Sequence, residues 1–297
     1  MTNLVTLTRV RMQLALRNKM FFFFSVIMPL IFFFLYAGIF AKSDSQAVRF
    51  FLGPVLALNV MGSFWGLSAT LVMFREQGIL RRFHVAPVTA SDMLASSVFA
   101  NFILTLPTVL TILILARYLF HVNDFGNLFT AFLFVCIGTI SFGSLGLVVA
   151  SITNTMQETQ VLNQILWLPL IFLSGATFPL VYLPKAVQHF SVFLPATYLV
   201  TGLQQATMFS KGFWELLVYF GALTFWALLC FFVASQLFRW EPETKIPRNA
   251  KLWAVATIIP FILLGIWESG KGAMLQEAQQ AYQAISSPNN SGAQKAN

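Results

Sequence analysis

Seven apolar runs constrain this chain more than anything else in it. They are Phe21–Ala41, Phe50–Phe74, Met93–Ala116, Leu128–Ile152, Val161–Ala176, Phe213–Phe238 and Leu252–Trp267, the fifth and seventh being short. A helix needs about 20 apolar residues to cross the hydrocarbon core of a bilayer. Composition decides against a water-soluble reading. The chain is 58% hydrophobic and 9% charged, with 33 Phe, where a soluble domain carries about 25% charged residues. A water-facing globule cannot hide that much apolar surface. In lipid every backbone N–H and C=O must be satisfied internally, which helices do. The expected fold is all-α, a polytopic membrane protein.

Residues 1–20 read as an interfacial segment. Leu4, Leu7, Val10/Arg11 and Leu14 recur at helical spacing, predicting an amphipathic helix on the membrane surface with its basic residues toward the headgroups. The run at Phe21 is too long for a signal-peptide core and further spans follow it, so it reads as an uncleaved first span. With the N-terminus inside, the inner segments hold eleven Lys and Arg and the outer segments seven, a bias that favours this orientation. Crossing of the membrane by 252–267 would put the C-terminus outside. Two small-residue faces offer close helix contacts: Gly62-Ser-Phe-Trp-Gly66 in the second span, and Thr139, Gly143, Gly146 and Ala150 in the fourth. Residues 177–212 are too apolar for an exposed loop and are broken by Pro179, Pro184 and Pro195, which fits short helices dipping into the bilayer edge. Residues 268–297 read as a polar, disordered tail, with Met274, Leu275, Ala278, Tyr282 and Ile285 able to form one short amphipathic helix at its head. Cys136 and Cys230 both fall in apolar runs and are expected to pack rather than pair.

The chemistry is defined by what is missing. There is no phosphate-binding loop, no His-Glu-x-x-His, no Gly-x-Ser-x-Gly and no Cys-x-x-Cys. His84, His121 and His189 lie in separate segments, so no metal site is expected. The net charge of +8 is explained by basic inner loops and not by nucleic-acid binding. The span interiors carry neutral polar groups, where ion-coupled carriers keep charges. Asn59, Asn101, Asn163 and Gln164 either line a substrate path or act as interhelical glue, each worth about 1 kcal/mol, and glue is the favoured role. No cofactor is expected on this chain, it reads as a non-enzyme, and energy for transport must enter from a partner.

The charged island Arg75–Val88, between the second and third runs, is the place for that entry. Arg75 and Glu76 close the second span, and Gln77-Gly78 permits a sharp turn. Ile79, Leu80, Phe83 and Val85 alternate with Arg81, Arg82 and His84, as in a short amphipathic helix that Pro87 ends. Ser91-Asp92 can cap the third span. A solvated loop obeying the positive-inside rule accounts for the arginines. It does not account for Glu76-Gln-Gly78 followed in one run by Leu-Arg-Arg and Val-Ala-Pro-Val.

That run, Arg75-Glu76-Gln77-Gly78-Ile79-Leu80-Arg81-Arg82 and then Ala86-Pro87-Val88, resembles the type-2 export permeases of ATP-binding-cassette transporters. So does Ser174-Gly175-Ala-Thr-Phe178-Pro179-Leu180 with Leu183-Pro184 and Leu194-Pro195-Ala-Thr-Tyr198. The resemblance implies a six-span permease domain over 21–240 that ends inside, with helices re-entering the outer leaflet between spans five and six. It assigns Ser174, Gly175, Phe178, Pro179, Pro184, Pro195 and Tyr198 to that outer segment. It also implies a coupling helix built from Arg75, Glu76, Gly78, Leu80, Arg81, Arg82, Phe83 and Pro87, with a Glu76–Arg pair holding its turn. The partners implied are a separate ATPase that binds ATP and Mg, and a second permease subunit, identical or not. The implied function is export of a hydrophobic or amphipathic substrate across a bacterial inner membrane, with a cytoplasmic N-terminus. Phe83-His84 departs from the aliphatic residues usual there, and 252–267 adds a seventh span to the family's six. A membrane scaffold or an intramembrane lipid-modifying enzyme are the alternatives, and the enzyme lacks a visible nucleophile–base pair.

Overall fold

The computed structural model describes residues 2–17, 27–40, 45–80, 89–240 and 250–286; helices, turns and short links make up all of them, with no strand. In chain order the helices are α1 (Thr2–Arg17), α2 (Met28–Leu35, continued by a π-helical turn Tyr36–Phe40), α3 (Ser45–Met61), α4 (Ser63–Glu76), α5 (Ala90–Tyr118), α6 (Leu128–Ile152) and α7 (Met156–Leu173). A 3₁₀ turn, Leu180–Tyr182, leads to α8 (Lys185–Ser191) and α9 (Pro195–Met208). Then come α10 (Leu217–Leu237), α11 (Ala250–Ala256), α12 (Ile259–Lys271) and α13 (Ala273–Ser286).

Among the described residues, five helical stretches are long and apolar enough to cross a membrane: Ser45–Glu76, Ala90–Tyr118, Leu128–Ile152, Leu217–Leu237 and Leu252–Lys271. They coincide with the second, third, fourth, sixth and seventh apolar runs. The fifth run falls in α7, whose first half carries Gln157, Glu158, Gln160, Asn163 and Gln164 and so dilutes its apolar character. Of the first run, Met28–Ile39 is a shorter apolar helix, and Phe21–Phe24 lie outside the described residues. The third span is capped by Thr89, not Ser91. Thr89 Oγ1 accepts from the Asp92 backbone N–H at 3.1 Å while Asp92 Oδ2 accepts from that of Thr89 at 3.3 Å, a reciprocal capping box.

Helix α6 is the axis of the bundle. It packs most extensively on α10 and α4, and also on α9, α5 and α3. The small-residue face read from its sequence makes this possible. A Cβ on Gly146 would strike the Phe64 carbonyl oxygen and lie 2.9 Å from the Phe64 Cα, so the α4 and α6 backbones meet there directly. The glycines of the second span do not make a matching contact. Gly62 sits at the break between α3 and α4, and Gly66 faces open space. On the other side of α6, Ser141 Oγ donates to the Leu223 carbonyl at 2.9 Å and Ser151 Oγ to that of Ala234 at 3.4 Å.

These contacts give the bundle two polar ends. At one, Arg49 pairs with Asp124 at 2.8 Å and its Nε donates to the Thr207 carbonyl at 2.9 Å. At the other lie Arg75, Glu76, Thr153 and Arg239. Residues 250–271 run back along α10, with Thr257 beside Cys230 and Phe261 against Trp226 at 5.3 Å. Residues 287–297 lie outside the described residues, and the head of the tail forms the amphipathic helix its sequence allowed, α13, which packs on α9, α3 and the 3₁₀ turn. Its amphipathic pattern explains why: Met274 and Ala281 are fully buried.

Gly146→Ala forces two backbones apart and is expected to cost about 1–3 kcal/mol, whereas Gly66→Ala is expected to be neutral. The thermal midpoint of each detergent-solubilised variant checks the contrast.

Candidate functional site

Arg75, in the last turn of α4, is fully buried. Its partners are carbonyls. Nη1 donates to the Thr153 oxygen at 3.0 Å and Nε to the Arg239 oxygen at 3.2 Å. Arg239, just past α10, converges on the same point. Its Nη2 donates to Thr153 O at 2.9 Å and to Ser151 O at 3.3 Å, and its Nη1 to Asn154 Oδ1 at 3.0 Å. The last carbonyls of a helix have no intrahelical donor and carry the negative end of its dipole. Here the end of α6 supplies them and two guanidiniums satisfy them. Burial lowers the pKa of Arg239 and the Glu158 carboxylate partly offsets that.

Glu76 turns the other way. Its Oε1 accepts from the Met156 backbone N–H at 2.7 Å, at the first residue of α7. A carboxylate is favoured at a helix N-terminus because the free N–H groups there point at it. The same turn is completed by Thr155 Oγ1, which accepts from the Glu158 N–H at 3.2 Å, and by Glu158 Oε2, which accepts from the Asn154 N–H at 2.7 Å. Among the described residues Arg75 and Glu76 each attach to backbone groups; the expected Glu76–Arg pair, if made with Arg81 or Arg82, lies outside the described residues. Arg75 and Glu76 tie the root of the island to the α6–α7 junction from both sides.

Gly78 takes a φ of +68° with open space where a Cβ would stand, so its left-handed backbone, not packing, requires glycine. Its N–H donates to the Arg75 carbonyl at 3.0 Å. Leu80 is fully buried in a small cluster with Leu7, Phe74 and Met93, against Phe238 and Trp240. Arg11 joins it, with its guanidinium 5.6 Å from the Phe74 ring centre and Nη2 3.5 Å from Met93 Sδ. Arg11 thus points inward, contrary to the expectation that the basic residues of α1 face headgroups, and burial pushes its pKa down to about 10. Arg81, Arg82, Phe83 and Pro87 lie outside the described residues.

The outer-segment residues stand together at the opposite end. Ser174 ends α7, and its Oγ accepts from the Ala176 N–H at 3.3 Å. Gly175 has a φ of +87°. Phe178 stacks on Phe172 at 6.3 Å. Pro179 and Pro184 precede the 3₁₀ turn and α8, and Pro195 is the first residue of α9, a position where a missing N–H costs nothing. Tyr198 is buried between Phe261 at 5.2 Å and Tyr219 at 6.0 Å. The four amides are not brought together. Asn163 exchanges hydrogen bonds with Ser68 at 2.8 and 3.1 Å, joining α7 to α4. Asn59 and Asn101 each bury an amide nitrogen without an acceptor, and Gln164 is exposed on α7.

Sequence reasoning missed Arg239, Thr153 and Asn154. Arg239 is the first charge after the sixth span and was weighed only as an orientation signal. Thr153 and Asn154 act largely through backbone and cap geometry, which composition does not display.

Comparison with known proteins gives a family match, ABC-2 type transporter, over residues 2–208. Among similar proteins, ycf38 of Cyanophora paradoxa, named as a transport permease, is 26% identical over 64% of this chain and 71% of its own length. Nodulation protein J of Bradyrhizobium diazoefficiens is 35% identical over 33% of this chain and 37% of its own. The linearmycin resistance permease protein LnrN of Bacillus subtilis is 24% identical over 57% of this chain and 45% of its own. The last two matches cover less than half of those relatives' lengths.

Arg75→Lys is expected to destabilise the protein by about 2–3 kcal/mol, because an ammonium cannot reach both carbonyls that the planar fork bridges. Denaturant midpoints of wild type and variant in one detergent check it.

Proposed function

We propose, since this chain belongs to the ABC-2 type transporter family, that it is the membrane subunit of an ATP-driven exporter, paired with a second permease subunit and with a separate ATPase that binds ATP and Mg. The observation that carries this reading is the double attachment of Arg75 and Glu76. A force applied to the 75–92 loop by a soluble partner would pass through Arg75 to the ends of α6 and α10, and through Glu76 to the start of α7. Helix α1, sharing the Leu80 cluster, is the second contact. The end holding Arg75 and Arg239 is then cytoplasmic, with the N-terminus, in a bacterial inner membrane.

In this reading the core has six crossings. Helix α2 completes the first, α7 is the fifth, and the 177–212 segment with α8 and α9 re-enters the outer leaflet. Residues 252–271 make a seventh crossing toward the outer end, supported by their course along α10. Asn163 acts as glue between α7 and α4. Asn59 and Asn101, with their unpaired amide nitrogens, and the exposed Gln164 are left as candidates for a substrate path. A relative named as a resistance permease supports export as the direction, and the Phe-rich spans are what suggest a hydrophobic or amphipathic cargo.

The test uses vesicles that hold the permease and its ATPase. Wild-type permease should stimulate ATP hydrolysis above the ATPase alone. Glu76→Ala should lower that stimulation about tenfold, the equivalent of 1.4 kcal/mol, at unchanged complex abundance. Undiminished stimulation in the variant would refute the coupling role.

A further inference from the structure

The helical hairpin α12–α13 lies beyond the family-matched residues and touches the outer segment at the 3₁₀ turn, at Phe193, on α9 and at Lys211. Its own shape is fixed first. Gly272 takes a φ of +66° between the two helices, and Glu268 Oε1 accepts from the Met274 N–H at 2.6 Å, placing a carboxylate at the α13 N-terminus. From that rigid corner, Gly265 abuts the Phe193 ring, whose Cγ would lie 2.7 Å from an added Cβ. Phe261 packs on Tyr198 of α9. Glu277 takes two donors at once: Lys211 Nζ at 3.0 Å on Oε1, and the Tyr219 hydroxyl at 2.8 Å on Oε2. Tyr282 meets Tyr182 of the 3₁₀ turn through hydroxyls 2.7 Å apart and rings at 5.1 Å.

The segment so held is made of short pieces. It begins at the left-handed Gly175, is divided by Pro179, Pro184 and Pro195, and contains one 3₁₀ turn and a seven-residue helix. Such junctions absorb backbone rotation. Apolar contacts at Phe261 and Gly265 are buried, whereas the polar contacts that join hairpin and segment lie nearer the surface: the side chains of Lys211 and Glu277 are 28% and 22% exposed, and Tyr182 is 64% exposed. Bonds of that kind open at lower cost than a packed interior.

We propose that the α12–α13 hairpin is a latch on the outer segment, closed through Glu277 and Tyr282 in the resting protein and released when the segment moves. Its release during a transport cycle rests on the exporter reading; its existence as a latch does not.

Hydrogen exchange on the full chain in phospholipid nanodiscs separates the two. Glu277→Gln and Lys211→Gln should each speed amide exchange about tenfold in both 180–194 and 273–286, and the charge-swapped pair Lys211→Glu with Glu277→Lys should restore protection. Restoration shows that the single variants are folded. Faster exchange confined to 273–286, or no change in either segment, would overturn the latch. With the ATPase bound and trapped by ATP and vanadate, both segments should loosen together. Protection retained there, in a chain whose single variants do loosen, would overturn release during the cycle and leave the latch standing. Failure of any ATPase to bind would count against the exporter reading alone.

Discussion

A buried guanidinium sets the register of one end of this bundle. Arg75 cannot leave water without acceptors, since desolvating an unpaired cation costs several kcal/mol. The acceptors it finds are the carbonyls of Thr153 and Arg239, at the end of α6 and just past α10. Three chain passes must therefore end at one level. The Gly146–Phe64 contact imposes the same register half a helix deeper, because two backbones touch there and neither can slide. Arg239 bonds to the α6 end as well, so removing one guanidinium leaves the other still pointing at Thr153.

The consequence is a stiff Arg75 end joined to a far end built from shorter elements. At the Arg75 end the two guanidiniums are buried and each makes several bonds, while Glu76 makes a single bond from the surface. In the middle, single serine and asparagine contacts such as Ser68–Asn163 and Ser141 to Leu223 join helices that otherwise meet through apolar packing. At the far end, short proline-broken elements rest against a hairpin through buried aromatic contacts at Phe261 and polar pairs nearer the surface. Stiff input, rigid transmission and a releasable far end suit a machine that is pushed from one side and opens on the other.

The apolar runs were legible because lipid leaves a chain little choice: a segment that crosses must be helical and apolar along its length. Leu128–Ile152 has the bounds read from its sequence, and its Gly143 and Gly146 lie on the packed face as expected. The Gly62–Gly66 pair shows the limit of the same rule, since spacing alone does not say whether a glycine ends a helix, faces open space or meets a neighbour. The partners of Arg75 and Glu76 were hidden for a different reason. They are backbone groups of residues about 80 and 164 positions away, and a backbone carbonyl carries no signature in the sequence. The two helices of the hairpin were legible as the seventh run and the amphipathic pattern from Met274, but its anchors, Tyr182, Lys211 and Tyr219, were not, because they lie in other elements. Glu268 and Glu277 read as tail charges until α12 and α13 are seen to bring them inward.

The central claim is that force enters at the root of the 75–92 loop. A photo-reactive amino acid at Gln77, exposed beside Glu76 and Gly78, tests it directly in intact cells. The account predicts a cross-link to a protein that carries a phosphate-binding loop, lost when the probe is moved to Gly212 at the outer end. A probe at Gln77 that labels only lipid or no ATPase, in cells where the transporter is active, would contradict it.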